Sequence, residues 1–145
     1  MNYIEESKTL LESVPSMEQA VKNLRTRLDR ASLKGKPGEV GSIDFSKGFS
    51  DTKALNDTLE DMLEVNRLSK ELTATKWKLQ DIYDVLDQLE DEEKLILELW
   101  YVKGLPKEEI AEELHYSSAS VKEIYRLRNK ALFEFAVLYF GASAI

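Results

Sequence analysis

A chain of 145 residues, 43% hydrophobic and 32% charged, is long enough for one domain, or for a small domain with an extended helical part, and is too apolar for wholesale disorder. Its net charge of −7 argues against bulk attraction to nucleic acid or acidic membrane, and no stretch approaches the ~18 consecutive apolar residues of a membrane span. The absence of cysteine excludes disulfides and thiolate metal sites, and the N-terminus MNYIEESKTLLES lacks the basic start and apolar run of a signal peptide, so a cytoplasmic setting is expected.

Tyr3, Ser7, Leu10, Val14, Met17, Val21, Leu24, Leu28 and Ala31 recur in alternating steps of four and three. That spacing predicts a helix with one narrow apolar seam. Pro15 lies inside it, removes a backbone donor and crowds the preceding turn, so a kink or break is expected near Ser13–Ser16, with Ser13 or Ser16 capping the restarted helix. Residues 34–51, KGKPGEVGSIDFSKGFSD, read as a connector from their glycines and proline. Ile43, Phe45 and Phe49 within it are expected to pack back onto the helices.

The helical pattern resumes from Thr52 to about Leu89. Leu55, Leu59 and Met62 lead into Val65, Leu68, Leu72, Thr75, Leu79, Ile82, Leu86 and Leu89. Neither long helix can bury its seam alone. Pairing the two as an antiparallel hairpin joined by the connector is the simplest arrangement, and a coiled coil with a second chain, hence a homodimer, is its rival. Residues 1–88 are thus read as a helical hairpin or coiled-coil region. Trp77 falls off the seam between Lys76 and Lys78, and is expected either to be covered by Phe45 and Phe49 or to meet a subunit or partner.

From Asp91 the pattern changes. Asp91, Glu92 and Glu93 suit the first turn of a helix, Ile96, Leu97, Leu99, Trp100 and Tyr101 give it a broad apolar face, and Gly104 ends it. Pro106 fits the first position of a second helix, with Ile110, Ala111 and Leu114 on its buried side and Glu108, Glu109, Glu112 and Glu113 outside. The turn HYSS leads to a third helix capped by Ser117 or Ser118. Val121, Ile124, Leu127, Ala131, Leu132, Phe135 and Leu138 form its apolar face, while Ala119, Lys122, Arg126, Asn129 and Lys130 lie on another side. Between residues 115 and 131 the cations Lys122, Arg126, Arg128 and Lys130 stand against Glu123 alone, so an acidic chain carries one basic helix after a short turn. The predicted fold is all-α, with residues 89–145 as a three-helix helix-turn-helix domain.

The stretch LEDEEKLILELWYVKGLPKEEIAEELHYSSASVKEIYRLRNKAL (89–132) resembles region 4 of the sigma-70 family. The resemblance is carried by Leu89, Lys94, Ile96, Leu97, Leu99, Tyr101, Gly104, Leu105, Glu108 to Ala111, Leu114, Ser117, Ser120, Val121 and Lys122. His115 and Tyr116 stand where that family usually has glycine in the turn, which asks His115 for a left-handed conformation, and Pro106 stands where Ser or Thr is usual. In size and layout, a helical N-terminal half before a sigma-like helix-turn-helix, the chain is similar to phage transcriptional regulators of the RinA/ArpU type. That likeness implies activation of late phage operons in a bacterial host, with RNA polymerase as a further partner.

A recognition helix presents its N-terminal residues to base edges in the major groove of double-stranded DNA. Ser118, Ala119, Ser120, Lys122 and Glu123 are therefore the expected sequence readers, and Arg126 and Lys130, further along, the expected phosphate contacts. Two other readings share these features: a small terminase-like packaging protein, and an acidic adaptor that grips polymerase without touching DNA. No enzymatic activity and no cofactor are expected, since a single histidine, His115, no cysteine and no glycine-rich phosphate loop leave no nucleophile–base arrangement.

Overall fold

A computed structural model describes residues 2–34, 52–115 and 121–145. Every regular element among them is helical: α1 (Tyr3–Glu12), α2 (Val14–Lys34), α3 (Thr52–Gln88), α4 (Asp91–Leu97) continued by a π turn (Glu98–Val102), α5 (Lys107–Glu113), and α6 (Val121–Phe140) followed by a 3-10 turn (Gly141–Ala144). No described helix is long and apolar enough to cross a membrane. The chain forms two compact units, residues 1–17 with 78–145, and residues 18–77. The connector, including Ile43, Phe45 and Phe49, lies outside the described residues, as do Tyr116 to Ser120.

In the larger unit, α1 begins where the Asn2 side chain accepts from the backbone N–H of Ile4 and Glu5, with Glu5 and Glu6 in the first turn. It ends at Ser13. Pro15 offers no N–H and its ring would collide with the carbonyl four residues back, so one helix cannot run through. The break falls where expected, but the Ser13 hydroxyl does not cap α2. It donates back to the Leu10 carbonyl at 2.6 Å, and it is the Ser13 carbonyl that starts α2 by accepting from Met17 N–H at 2.9 Å. The seam also shifts by one residue: Leu11, not Leu10, is fully buried, beside Ser7 and Val14.

The core of this unit draws on all six α-helices, with Leu11 from α1 and Val14 from the start of α2. Leu79, Ile82, Val85, Leu86 and Leu89 from the end of α3 are buried together with Ile96 and Leu97 of α4, Ile110 of α5, and Ile124, Ala131, Leu132, Phe135 and Ala136 of α6. Tyr3 of α1 packs its ring 4.9 Å from Phe140 at the far end of α6, so the first helix of the chain closes onto the last. Of the apolar face expected for α6, Val121 and Leu138 remain largely exposed.

The smaller unit is thinner. Within residues 18–77 only Leu68 and Leu72 are buried among the described apolar side chains, while Val21, Leu24, Leu28, Ala31 and Val65 are half-buried. α2 and α3 lie side by side here, sharing a shallow recess lined by Arg27, Arg30 and Ala31 on one helix and Asp61, Glu64 and Leu68 on the other. Arg67 hydrogen-bonds Glu64 at 2.7 and 3.0 Å and holds its carboxyl below the usual range, with Arg27 of α2 adding to the effect. The long N-terminal helices therefore form the expected hairpin. At 37 residues, α3 is about 55 Å long. Its first turns leave Leu55, Leu59 and Met62 exposed, against the expectation that they extend the seam. Thr58 and Asp61, half-buried, occupy the inward positions instead.

Candidate nucleic-acid interface

The helix-turn-helix is assembled from α4 with its π turn, α5 and α6. The π turn closes with Lys103 N–H on the Glu98 carbonyl at 2.8 Å, and Leu105 N–H reaches back to Leu99 at 3.0 Å. That path needs a left-handed residue between them, and Gly104 supplies it at φ 65°. Pro106 is the cap of α5 rather than its first residue: it is extended (φ −64°, ψ 154°), and its carbonyl accepts from Ile110 N–H at 3.1 Å. α5 then runs to Glu113, burying Ile110 and leaving Glu108, Glu109, Glu112 and Glu113 in solvent. After Leu114 the chain turns through His115 at φ 59°, the left-handed geometry that the missing glycine demanded.

Of the residues expected to read sequence, Ser118, Ala119 and Ser120 lie outside the described residues. Lys122 and Glu123 are exposed in the first turn of α6. Arg126 is one turn further on, with its side chain 76% exposed and its guanidinium 3.2 Å from Glu123. Such an exposed pair is held weakly and exchanges readily for a stronger anion. Lys122, Arg126 and Asn129 repeat at helical spacing on one exposed flank of α6, and Phe133, 47% exposed, continues that row.

Lys130 is differently committed. Its Nζ lies 3.2 Å from Oε1 of Glu93, a carboxylate that is fully buried, so Glu93 is more than a helix-start charge. Neither Glu93 oxygen has a well-directed hydrogen bond. Burial pushes the Glu93 carboxyl above the usual range, the neighbouring Glu134 adds to this, and Lys130 opposes it. The same contact raises Lys130 above its ordinary value. The pair thus ties α4 to α6, at the cost of holding one of the expected phosphate contacts against the protein.

Arg128, counted in the sequence only as part of the basic stretch, and Lys107 have aromatic partners that the sequence reading did not anticipate. Arg128 lies over the Trp100 ring, 4.6 Å from its centroid, and 5.1 Å from that of Tyr125, while Lys107 sits 4.7 Å from the Tyr125 centroid. Trp100 and Tyr125 meet edge to face at 5.7 Å. These contacts fix two positive charges beside the packed faces of α4, α5 and α6, where ring quadrupoles attract them. Only the local coincidence of basic and aromatic residues hinted at this, because the partners come from three helices. No group of acidic and histidine side chains able to hold a metal occurs among the described residues.

No curated protein and no solved structure matches the chain. Residues 79–126 match the family described as Sigma-70, region 4. The matched stretch, about a third of the chain, begins in the last turns of α3, passes through α4 and α5 and ends in α6, so this protein carries a sigma-70 region 4-like helix-turn-helix.

Proposed function

We propose that the protein is a phage-encoded transcriptional regulator of the RinA/ArpU type that binds a specific duplex DNA site through α6 and activates late genes. The observation that carries this reading is the exposed flank of α6: Lys122 and Arg126 face solvent at the start of the third helix of a sigma region 4-like module. In this reading Ser118, Ala119, Ser120, Lys122 and Glu123 meet base edges, Lys122 donating to guanine and Glu123 accepting from cytosine. Arg126 leaves Glu123 for a phosphate, and Lys130 divides its charge between Glu93 and the backbone. The exposed glutamates of α5 keep non-specific attraction low, which lets a chain of net charge −7 approach DNA in one orientation only. RNA polymerase is the second partner implied.

The test is fluorescence anisotropy of the full-length protein on the duplex upstream of the late genes, repeated across salt. The slope of log K on log salt should be about −3, and Arg126→Ala should flatten it by about one unit on any sequence. Lys122→Ala should cost ~1–3 kcal/mol on the cognate site alone. Unchanged affinity and slope in both variants would sink DNA binding by this face and favour the polymerase adaptor.

A further inference from the structure

The side of α3 turned away from its buried seam carries a second apolar row. With 3.6 residues per turn, Leu55, Leu59, Met62, Leu63 and Trp77 fall on one flank, opposite Leu68 and Leu72. The first four are between 50% and 67% exposed and Trp77 is 73% exposed. Leu55, Leu59, Met62 and Leu63 adjoin one another, and Trp77 stands about 21 Å further along the same flank, past Asn66, Ser69, Lys70 and Thr73. Adjoining apolar side chains of this kind mark an interaction surface, whereas single exposed ones do not.

We propose that this row is a dimer interface, occupied by the same row of a second copy running antiparallel with its two-fold axis at Asn66. Asn66 lies on the same flank, exposed and midway along it. A two-fold there sets each residue against the one equally far on the other side. Leu55 meets Trp77, Leu59 meets Thr73, Met62 meets Lys70 and Leu63 meets Ser69. Those four partners are residues that, with Ala74, line an open recess on this face of α3. The exposed apolar half of the row thus fills the recess of the other half, twice over.

Charge and length agree with this arrangement. Lys70 is the row's charged residue; its apolar stem covers Met62 while its ammonium stays in water. Parallel pairing would instead press Lys70 on Lys70 and Trp77 on Trp77, and leave the recess unfilled. Beyond Trp77 the same flank turns polar, with Gln80 donating to Asp84 at 2.8 Å, so the row has a defined end. Covering its five large side chains on two copies removes roughly 1,000 Å² from water, near the lower limit for a specific pair. The Asn66 amides, paired across the axis, fix the register.

Sedimentation velocity on the full-length chain tests it. The expected result is a dimer, with Leu59→Glu/Leu63→Glu weakening association about 100-fold at unchanged helical content, since both positions face solvent in one copy. In a Trp100→Phe background, Trp77 emission should shift to the blue as concentration rises. Because the chain has no cysteine, Leu59→Cys/Thr73→Cys should cross-link on oxidation while Leu59→Cys alone should not. A monomer at every concentration, or a dimer indifferent to the two glutamates, would overturn the proposal and leave the row to a partner of other sequence. Cross-linking by Leu59→Cys alone would overturn the antiparallel pairing.

Discussion

The two units of this chain are built from the same kind of helix yet differ in how many faces each helix hides. Around residues 78–145 and 1–17, parts of all six α-helices converge, and side chains such as Ile82, Ile96, Ile110, Ile124 and Phe135 are wholly enclosed. In residues 18–77, α2 and α3 share one seam, and among the described apolar side chains there only Leu68 and Leu72 are closed off. A helix that packs on one neighbour buries a single stripe, so any second stripe must find another use. In α3 that second stripe is the row ending at Trp77.

The contrast is broken most directly by truncating each unit in turn. Phe135→Ala removes an enclosed ring from the larger unit and should cost about 4 kcal/mol in urea denaturation followed by circular dichroism. Leu24→Ala, at a half-buried seam position of α2, should cost about 1 kcal/mol, because less area is withdrawn from water and the two-helix seam can close up. Equal costs would mean that the hairpin is as tightly held as the helix-turn-helix.

What was legible in the sequence divides along the same line. Local chemistry read well: Pro15 breaks the first helix, Gly104 stops α4 and its π turn, and His115 adopts the left-handed turn. One-residue choices did not. From Ser7, a step of three or of four both keep the seam, and the chain takes Leu11 over Leu10 because α1 answers to the end of α6 as well as to a partner helix. Pro106 moved from first residue to cap because its extended ψ turns its carbonyl to Ile110. The α6 flank of Lys122 and Arg126 was visible as charge at helical spacing, whereas Arg128 on Trp100 and Lys130 on Glu93 depend on helices brought together only by folding.

Glu93 sharpens the comparison, since a buried carboxyl has a place only in the unit with a closed core. Its folded pKa is raised, so the protonated form is favoured on folding. The resulting stabilisation is complete below the unfolded carboxyl value and is lost as pH climbs through the raised one. Wild-type stability should therefore fall over that window relative to Glu93→Gln, and above it the glutamine variant should be the more stable. Removing Lys130 as Lys130→Met takes away the cation that opposes the shift, which should carry the window to still higher pH. Parallel pH profiles for wild type and Glu93→Gln would mean that Glu93 is solvated.

The smallest effect concerns the turn between the two helices of the motif. His115 at φ 59° is the one described non-glycine residue with positive φ, and a side chain there brings its Cβ close to its own carbonyl. His115→Gly relieves that crowding, worth roughly 1–2 kcal/mol. It also gives the unfolded chain more freedom to lose, which takes back up to ~1 kcal/mol. The net gain should be under 1 kcal/mol, read as a small rise in melting temperature. Gly104→Ala, at the same kind of φ, should move stability the other way, because the alanine acquires the strain that His115 already bears. No neighbouring atom lies within 4 Å of a Cβ built at Gly104, so its penalty is conformational and not steric against another helix. Opposite signs at the two positions would locate the strain in the turns themselves. A loss of stability in His115→Gly would mean instead that the imidazole makes a contact worth more than the strain it causes.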